Sequence, residues 1–378
     1  ADYRWAHWLG LAVWAVFAWL AHSQLERRLP ERDQYLFPLA AVLSGWGMLS
    51  VWRLLPDFGL RQAAWLAAGM ALLILGLRLP SDLGFLYRFK YVWLSAGLLL
   101  TAATLVFGTN PLGSGPQLWL GWGGLYMQPS EALKLLLIIY LAAYLADRLK
   151  KGGKAEGNWL PLLLPTLFVL GISLSLLIFQ RDLGTASIFL FLYAALLYTA
   201  LGKRRIVLFA GLALAAGGAA AYLVFDVVRL RIDAWLNPWL DPSGRSYQIV
   251  QSLIAIASGG VFGRGTGMGS PGLVPVAQSD FIFAAITEEN GLLGALALLL
   301  LLALLVSRGL RTALYASTPF QRYLAAGISA HLGAQSILII GGNLRLLPLT
   351  GVTLPFVSYG GSSLVTSLLE ILLLLLIS

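Results

Sequence analysis

The sequence predicts an all-α, polytopic integral membrane protein. Three observations carry that prediction. Of 378 residues, 58% are hydrophobic and only 11% are charged, whereas a soluble domain carries about a quarter charged residues. The apolar residues fall in unbroken runs of the length a bilayer-spanning helix needs, about 20 residues. Finally, the basic residues concentrate in alternate connections between those runs.

The runs lie near 5–23, 35–55, 60–79, 91–108, 129–147, 160–179, 185–201, 206–225, 281–306, 323–343 and 362–378, about eleven by the length rule. They are continuous rather than alternating, so helices and not barrel strands are expected. One set of connections carries Arg27, Arg28 and Arg32, then Arg78, Arg88 and Lys90, then Arg148, Lys150, Lys151 and Lys154, then Lys203, Arg204 and Arg205, then Arg308, Arg311 and Arg322. The other set has no lysine. The positive-inside rule makes the first set cytoplasmic. The N-terminus is then outside, and the long connections 109–128, 226–280 and 344–361 all face out. Long loops of this kind are usually functional, so the working surface is expected to be extracytoplasmic.

The net charge of +9 follows from the same bias. No soluble basic domain exists to carry nucleic acid, and none is expected as a partner. With no cysteine in the chain, disulfides and thiolate metal sites are excluded. No cleavable signal peptide is evident.

The chemistry-bearing residues cluster near the outer ends of the spans. Glu131 and Lys134 share one helical face at i,i+3 spacing. They either pin two helices as a buried pair or contact substrate, since ionisable groups at membrane depth are costly and commonly functional. Asp182, in Gln180-Arg181-Asp182-Leu183-Gly184-Thr185, either caps the following helix or holds a cation or a sugar. The loop 226–280 opens with Arg229, Arg231 and Asp233. It continues through Gln248, Gln251 and Ser252, in a stretch, 246–258, expected to form a short amphipathic helix lying on the membrane. A glycine-rich run from Gly259 to Gly272 follows and reads as a flexible loop. Asp280 ends the loop. It is a natural N-cap for the ninth span, and equally a carboxylate at a water–lipid boundary suited to general-base work. Glu288 and Glu289 lie about 12 Å deeper at 1.5 Å per residue, where acids surrounded by lipid need partners. The last outer loop contains Pro348, Gly351, Pro355, Ser358, Tyr359, Gly360 and Ser362. Broken backbone at that depth requires a protein-lined cleft. His331, alone on an apolar helix, reads as a satisfied core residue rather than a ligand.

Taken together these segments resemble the SEDS family (shape, elongation, division and sporulation), which includes RodA, FtsW and SpoVE. Gln128-Pro129-Ser130-Glu131 with Lys134 resembles its QPSE…K motif, and Gln180 to Thr185 its QPDLGT motif. Asp241 to Gly265 is similar to the family's DP…G…Y…QS…IGSGG…G…G loop. Ser279 to Gly294 resembles its (T/S)DFIF…EE.G..G segment, and Leu347 to Ser363 its LLP.TG..LPF.SYGGSS hallmark. The match covers about 35–378, with the motifs in order. Arg181 replaces the usual proline, Arg345 stands at a usual glycine and Ala257 at a frequent one. The first span appears in addition to the family's ten.

The resemblance implies ten SEDS-type helices in a GT-C-like fold at 35–378, preceded by an extra transmembrane helix at 1–34. It implies a bacterial cytoplasmic-membrane enzyme that polymerises lipid II and releases undecaprenyl pyrophosphate, with an active site on the extracytoplasmic side. Asp280 matches the family's essential aspartate and would act as the base. Arg229, Arg231 or a divalent cation, Mg2+ or Mn2+ near Asp280, would stabilise the leaving group. Glu131, Lys134, Asp182, Gln248, Gln251, Ser252, Glu288, Ser358, Tyr359 and Ser362 would bind substrate or shape the cleft. The implied partners are lipid II, undecaprenyl lipid, membrane lipid and a class B penicillin-binding protein. No nucleotide or organic cofactor is expected. A lipid II flippase and a non-catalytic cell-wall scaffold are the rival functions.

Overall fold

The computed structural model describes residues 6–111, 113, 116–122, 125–151 and 160–378. Lys154 lies outside them. Each of the eleven expected spans coincides with a helix: α1 (Ala6–Arg28), α2 (Leu36–Leu54), α3 (Pro56–Gly76), α5 (Lys90–Phe107), α6 (Pro129–Lys151), α7 (Leu160–Phe179), α8 (Leu183–Leu201), α9 (Arg204–Val224), α12 (Ile282–Tyr315), α13 (Pro319–Asn343) and α14 (Gly361–Ile377). Three further helices occupy connections: α4 (Gly84–Arg88), α10 (Asp226–Leu236) and α11 (Tyr247–Gly259). Among the described residues, eight helices are long and apolar enough to cross a bilayer, while the apolar stretches Leu163–Phe179 and Gly361–Ile377 are shorter. The chain is a multi-pass membrane protein.

α6, α13 and α14 form the centre, packed on one another and on α3, α5, α8 and α12. α9 lies at the rim. None of its residues is buried, and among the described residues it packs chiefly on α8 and α10. In lipid such an apolar helix needs no protein cover. The sequence expects only a loop at 109–128, yet β1 (Leu120–Trp122) and β2 (Leu125–Met127) pair there as a small antiparallel hairpin. It stands immediately before α6.

The end rich in basic residues is tied together by ion pairs. Arg308 of α12 meets Asp33 between α1 and α2, Nε to Oδ2 at 2.8 Å. Lys90 and Tyr87 both engage Asp147 of α6. Charges close to the apolar slab are thereby neutralised in place.

α12 has 34 residues, about 51 Å at 1.5 Å per residue, against a hydrocarbon core of about 30 Å. A break at Gly291 (φ 65°, ψ −164°) divides it. From Ile282 to Glu289 every residue is buried, whereas Leu292, Leu293, Leu296 and Leu300 beyond the break are exposed. The first part is therefore sheathed in protein and the second meets lipid.

Three expectations for this region need correction. The helix expected at 246–258 to lie on the membrane exists as α11, but its buried face, with Ile249, Val250, Ser252, Ala255 and Gly259, meets protein. It packs on the first turns of α12, with Ser252 bonded to the Asn343 carbonyl and Gly259 against the Thr287 backbone. Its apolar face joins Ala255 to Phe281, Ala284 and Ala285 in a small separate core, so burial against protein outweighs the surface position. The glycine-rich run is not a free loop either. Leu292 and Leu293 N–H donate to the Gly260 and Val261 carbonyls, and Arg264 and Gly265 N–H donate to the Glu288 and Glu289 carbonyls. The loop thus satisfies the backbone groups that the helix break releases. Gly263 (φ 83°) is needed because a Cβ there would strike the Glu289 carbonyl. Finally, Glu288 and Glu289 are not surrounded by lipid. Glu289 pairs with Arg53 at the end of α2, and Glu288 Oε1 accepts from Ser270 N–H at 2.8 Å.

Candidate functional site

Asp280 stands two residues ahead of α12, at the end opposite the basic residues. It does not cap that helix. The N-cap position is Phe281, and no side chain of the segment itself caps the helix. Asn343, the last residue of α13, takes over the task. Its Oδ1 accepts from Ala284 N–H at 3.2 Å, satisfying an orphan donor of the first turn. Its Nδ2 donates to the Asp280 carbonyl at 2.7 Å and to the Ile339 carbonyl at 2.9 Å. Its own carbonyl accepts from Ser252 Oγ at 3.3 Å. Asn343 is fully buried.

With the cap provided from elsewhere, the half-buried Asp280 carboxylate accepts, among the described residues, a hydrogen bond from Ser279 Oγ at 3.2 Å. Burial pushes this carboxyl above the ordinary carboxylate range, and the Arg231 guanidinium and the Ser279 hydrogen bond hold it back. A carboxyl raised above its ordinary range suits general-base work, because the ideal catalytic pKa lies near the operating pH.

The last loop, 344–360, holds the Asp280 segment in place. Ser358 Oγ donates to the Ser279 carbonyl at 2.6 Å and accepts from Leu354 N–H at 2.9 Å. Tyr359 N–H donates to the Gln278 carbonyl at 2.8 Å. The Tyr359 ring stands edge-on to Phe58 at 4.6 Å. Its phenol is raised by burial, against the charge and hydrogen bond of Arg61. Gln62 of α3 clasps the same loop, Nε2 to the Ser358 carbonyl at 3.2 Å and Oε1 from Gly360 N–H at 3.4 Å.

A second polar cluster lies under the other side of that loop. Asp182 caps α8, Oδ1 accepting from Thr185 N–H at 3.1 Å. Its Oδ2 accepts from Ser130 Oγ at 3.2 Å and Gln128 Nε2 at 3.3 Å. Lys134, fully buried, pairs with Glu131 at 2.8 Å. Ser362 Oγ accepts from Gln128 N–H at 2.8 Å. Thr350 joins the two clusters: its carbonyl accepts from Arg231 Nη1 at 3.2 Å and lies directly against Gly184 of α8.

The structure thus brings Asp280, Arg231, Ser358 and Tyr359 together, and Glu131, Lys134, Asp182 and Ser362 together. Arg229 points elsewhere. It is half-exposed, pairs with Asp226 at 3.6 Å and reaches the Leu223 carbonyl at 3.3 Å. Gln248 is exposed and Gln251 half-buried, and neither side chain hydrogen-bonds another described residue, while Ser252 donates to the Asn343 carbonyl. Glu288 belongs to the helix-break junction rather than to the Asp280 cluster. His331 is a core residue, its Nδ1 2.7 Å from Glu370 Oε1 with both side chains buried. Sequence reasoning missed Asn343, Gln62 and Arg53. A polar side chain at the end of an apolar span was the available signal for all three. Among the described residues no three His, Cys, Asp or Glu side chains gather where they could hold a metal.

Comparisons with known proteins place the chain in a family. The Mycobacterium tuberculosis protein "Peptidoglycan glycosyltransferase RodA" is 37% identical over 387 residues, covering 98% of this chain and 82% of that protein. "Stage V sporulation protein E" of Bacillus subtilis is 36% identical over 284 residues, 74% of this chain and 76% of that protein. Among solved structures, a chain from a study of polymerization and crosslinking by a peptidoglycan synthase complex superposes with a TM-score of 0.78 at 30% identity, covering 92% of this chain and 97% of the other. The rod shape determining protein RodA of Thermus thermophilus gives a TM-score of 0.66 at 27% identity, covering 92% and 96%. The model of the FtsW, RodA and SpoVE family, described as "Cell cycle protein", matches residues 50–378, and the chain belongs to that family.

Proposed function

We propose that the chain is a peptidoglycan glycosyltransferase that joins lipid II disaccharides into glycan strands, with Asp280 as its general base. One observation carries the reading: Asn343 performs the capping that Asp280 would otherwise perform, which leaves a half-buried carboxylate beside Arg231. The membrane fold and the glycosyltransferase relatives support the reaction class.

In the proposed step the Asp280 carboxylate takes the proton from the 4-hydroxyl of an acceptor GlcNAc. The oxygen attacks the anomeric carbon of the donor, and the bond from that carbon to pyrophosphate breaks. Attack from the face opposite the leaving group turns the α-linked donor into a β-linkage. Undecaprenyl pyrophosphate departs with the bonding pair, so no acid is required to protonate it. Arg231 is the cation placed to balance that charge. Arg229, turned toward α9, is not.

A resident cation cage is a poor fit here. One carboxylate beside a guanidinium falls short of the oxygen ligands that a hard divalent ion takes. Mg2+ or Mn2+ brought in with the substrate's phosphates would supply further charge neutralisation. The positive-inside rule supports a site on the extracytoplasmic face, and the proposed membrane is the bacterial inner membrane. The proposed partner is a class B penicillin-binding transpeptidase, which would crosslink the strands.

The experiment is a two-readout assay on the purified protein in proteoliposomes, with lipid II on defined sides. Polymer formed from outward-facing substrate supports the enzyme. Translocation of lipid II with no polymer, with or without a transpeptidase partner and either cation, overturns it in favour of a flippase.

A further inference from the structure

α10 is poorly supported by packing. Only Ala234 among its residues is buried, and the helix before it, α9, has no buried residue at all. Packing alone therefore leaves the position of Arg231, which α10 carries, weakly determined. Two polar attachments to the last loop compensate. One is Arg231 itself, on the Thr350 carbonyl. The other is Arg345. Its Nε donates to the Trp235 carbonyl at 2.8 Å and its Nη2 to the Leu236 carbonyl at 2.7 Å. In return, Trp235 Nε1 donates to the Arg345 carbonyl at 3.1 Å. Arg345 thereby satisfies two of the carbonyls left open at the C-terminus of α10, where a cation also complements the helix dipole. The contact has a conformational cost. Arg345 sits at φ 58°, a left-handed conformation that a residue with a Cβ adopts only when its surroundings hold it there.

We infer that Arg345 is a positioning residue: by clamping the last turn of α10 it keeps Arg231 beside Asp280. The inference rests on the proposed function, because the task of Arg231 is defined there. Arg345 touches no reacting atom. It acts through the orientation of α10, and its removal matters only as far as Arg231 matters.

The test is a double-mutant cycle of Arg345→Gly and Arg231→Gln on the full chain, read as glycan polymerisation from lipid II. Glycine accepts φ 58° without strain, so the variant loses the clamp while the backbone is relieved. Arg345→Gly alone is expected to lower turnover roughly tenfold or more, as a misplaced catalytic group does. In the Arg231→Gln background it is expected to cost nothing further. A second readout uses the absence of native cysteine. Spin labels at Val227→Cys on α10 and Ile337→Cys on α13, both exposed, should give a narrow distance distribution that broadens on Arg345→Gly. An unchanged distribution, or an equal loss of turnover in both backgrounds, overturns the inference. If Arg231→Gln leaves turnover intact while the labels still broaden, the clamp stands and the role of Arg231 in the proposed function fails.

Discussion

Asn343 Nδ2 donates to the Asp280 main-chain carbonyl at 2.7 Å while Asn343 Oδ1 accepts from Ala284 N–H at 3.2 Å. One buried amide therefore fixes the backbone on both sides of the α12 start. Asn343→Ala is expected to lower kcat on the order of tenfold or more, with a smaller change in KM, because the base is displaced rather than the substrate contacts removed. Asn343→Asp keeps the acceptor and loses the donor, and should fall between. A kcat for Asn343→Ala equal to that of the wild type would separate Asp280 placement from Asn343.

The pH profile gives a test with a definite sign. Burial raises the Asp280 pKa and Arg231 lowers it. The acid limb of kcat/KM should therefore lie above the ordinary carboxylate pKa of about 3.9. Arg231→Gln removes the lowering influence, so the limb should move to higher pH, with activity lost earlier on acidification. A limb that moves to lower pH, or stays in place, contradicts the electrostatic pairing of Arg231 with Asp280.

Lys134 and Glu131 form a buried pair at 2.8 Å. Removing one partner leaves an uncompensated charge, which typically costs about 3–5 kcal/mol. Lys134→Met should lower the thermal unfolding temperature in detergent, and adding Glu131→Gln should recover most of the loss. If the single variant proves as stable as the parent, the pair is solvated and the cleft floor is not what the structure shows.

Gly291 has φ 65°, and a Cβ on it would collide with the Val261 carbonyl and Gly263 nitrogen. Gly291→Ala should destabilise by at least about 1–3 kcal/mol, the usual cost of such backbone strain. Limited proteolysis should then open the 260–270 loop first, since its hydrogen bonds to the helix break would be lost. Wild-type stability with an intact loop would show that the junction tolerates a straight helix.

The spans were legible because lipid imposes a length and composition rule on every helix at once. α9 shows the limit of that rule: sequence places it, yet cannot say that it lies at the rim with nothing buried. The carboxylates were legible as candidates because Asp182 and Asp280 both precede apolar runs. Their division of labour was not. Asp182 caps its own helix, whereas Asp280 is relieved by Asn343, which lies 63 residues away in sequence. The same holds for Glu289, whose partner Arg53 comes from α2. α11 was legible as an amphipathic helix, but its packing partner was not. Its apolar face fits a membrane surface and the side of α12 equally well, and only the tertiary contacts of Ser252 and Gly259 decide between them. The choice between Arg229 and Arg231 turned on helix phase, since two residues along α10 is more than half a turn.

The base assignment is tested most directly by Asp280→Asn, which preserves shape and removes the ability to take a proton. Purified variant and parent, reconstituted identically and checked for equal unfolding temperature, are supplied with labelled lipid II, and strand length is read against time. The expected result is a rate loss on the order of 10²–10⁴-fold, the usual contribution of a general base. Strands accumulating at the parental rate would remove Asp280 from the chemistry.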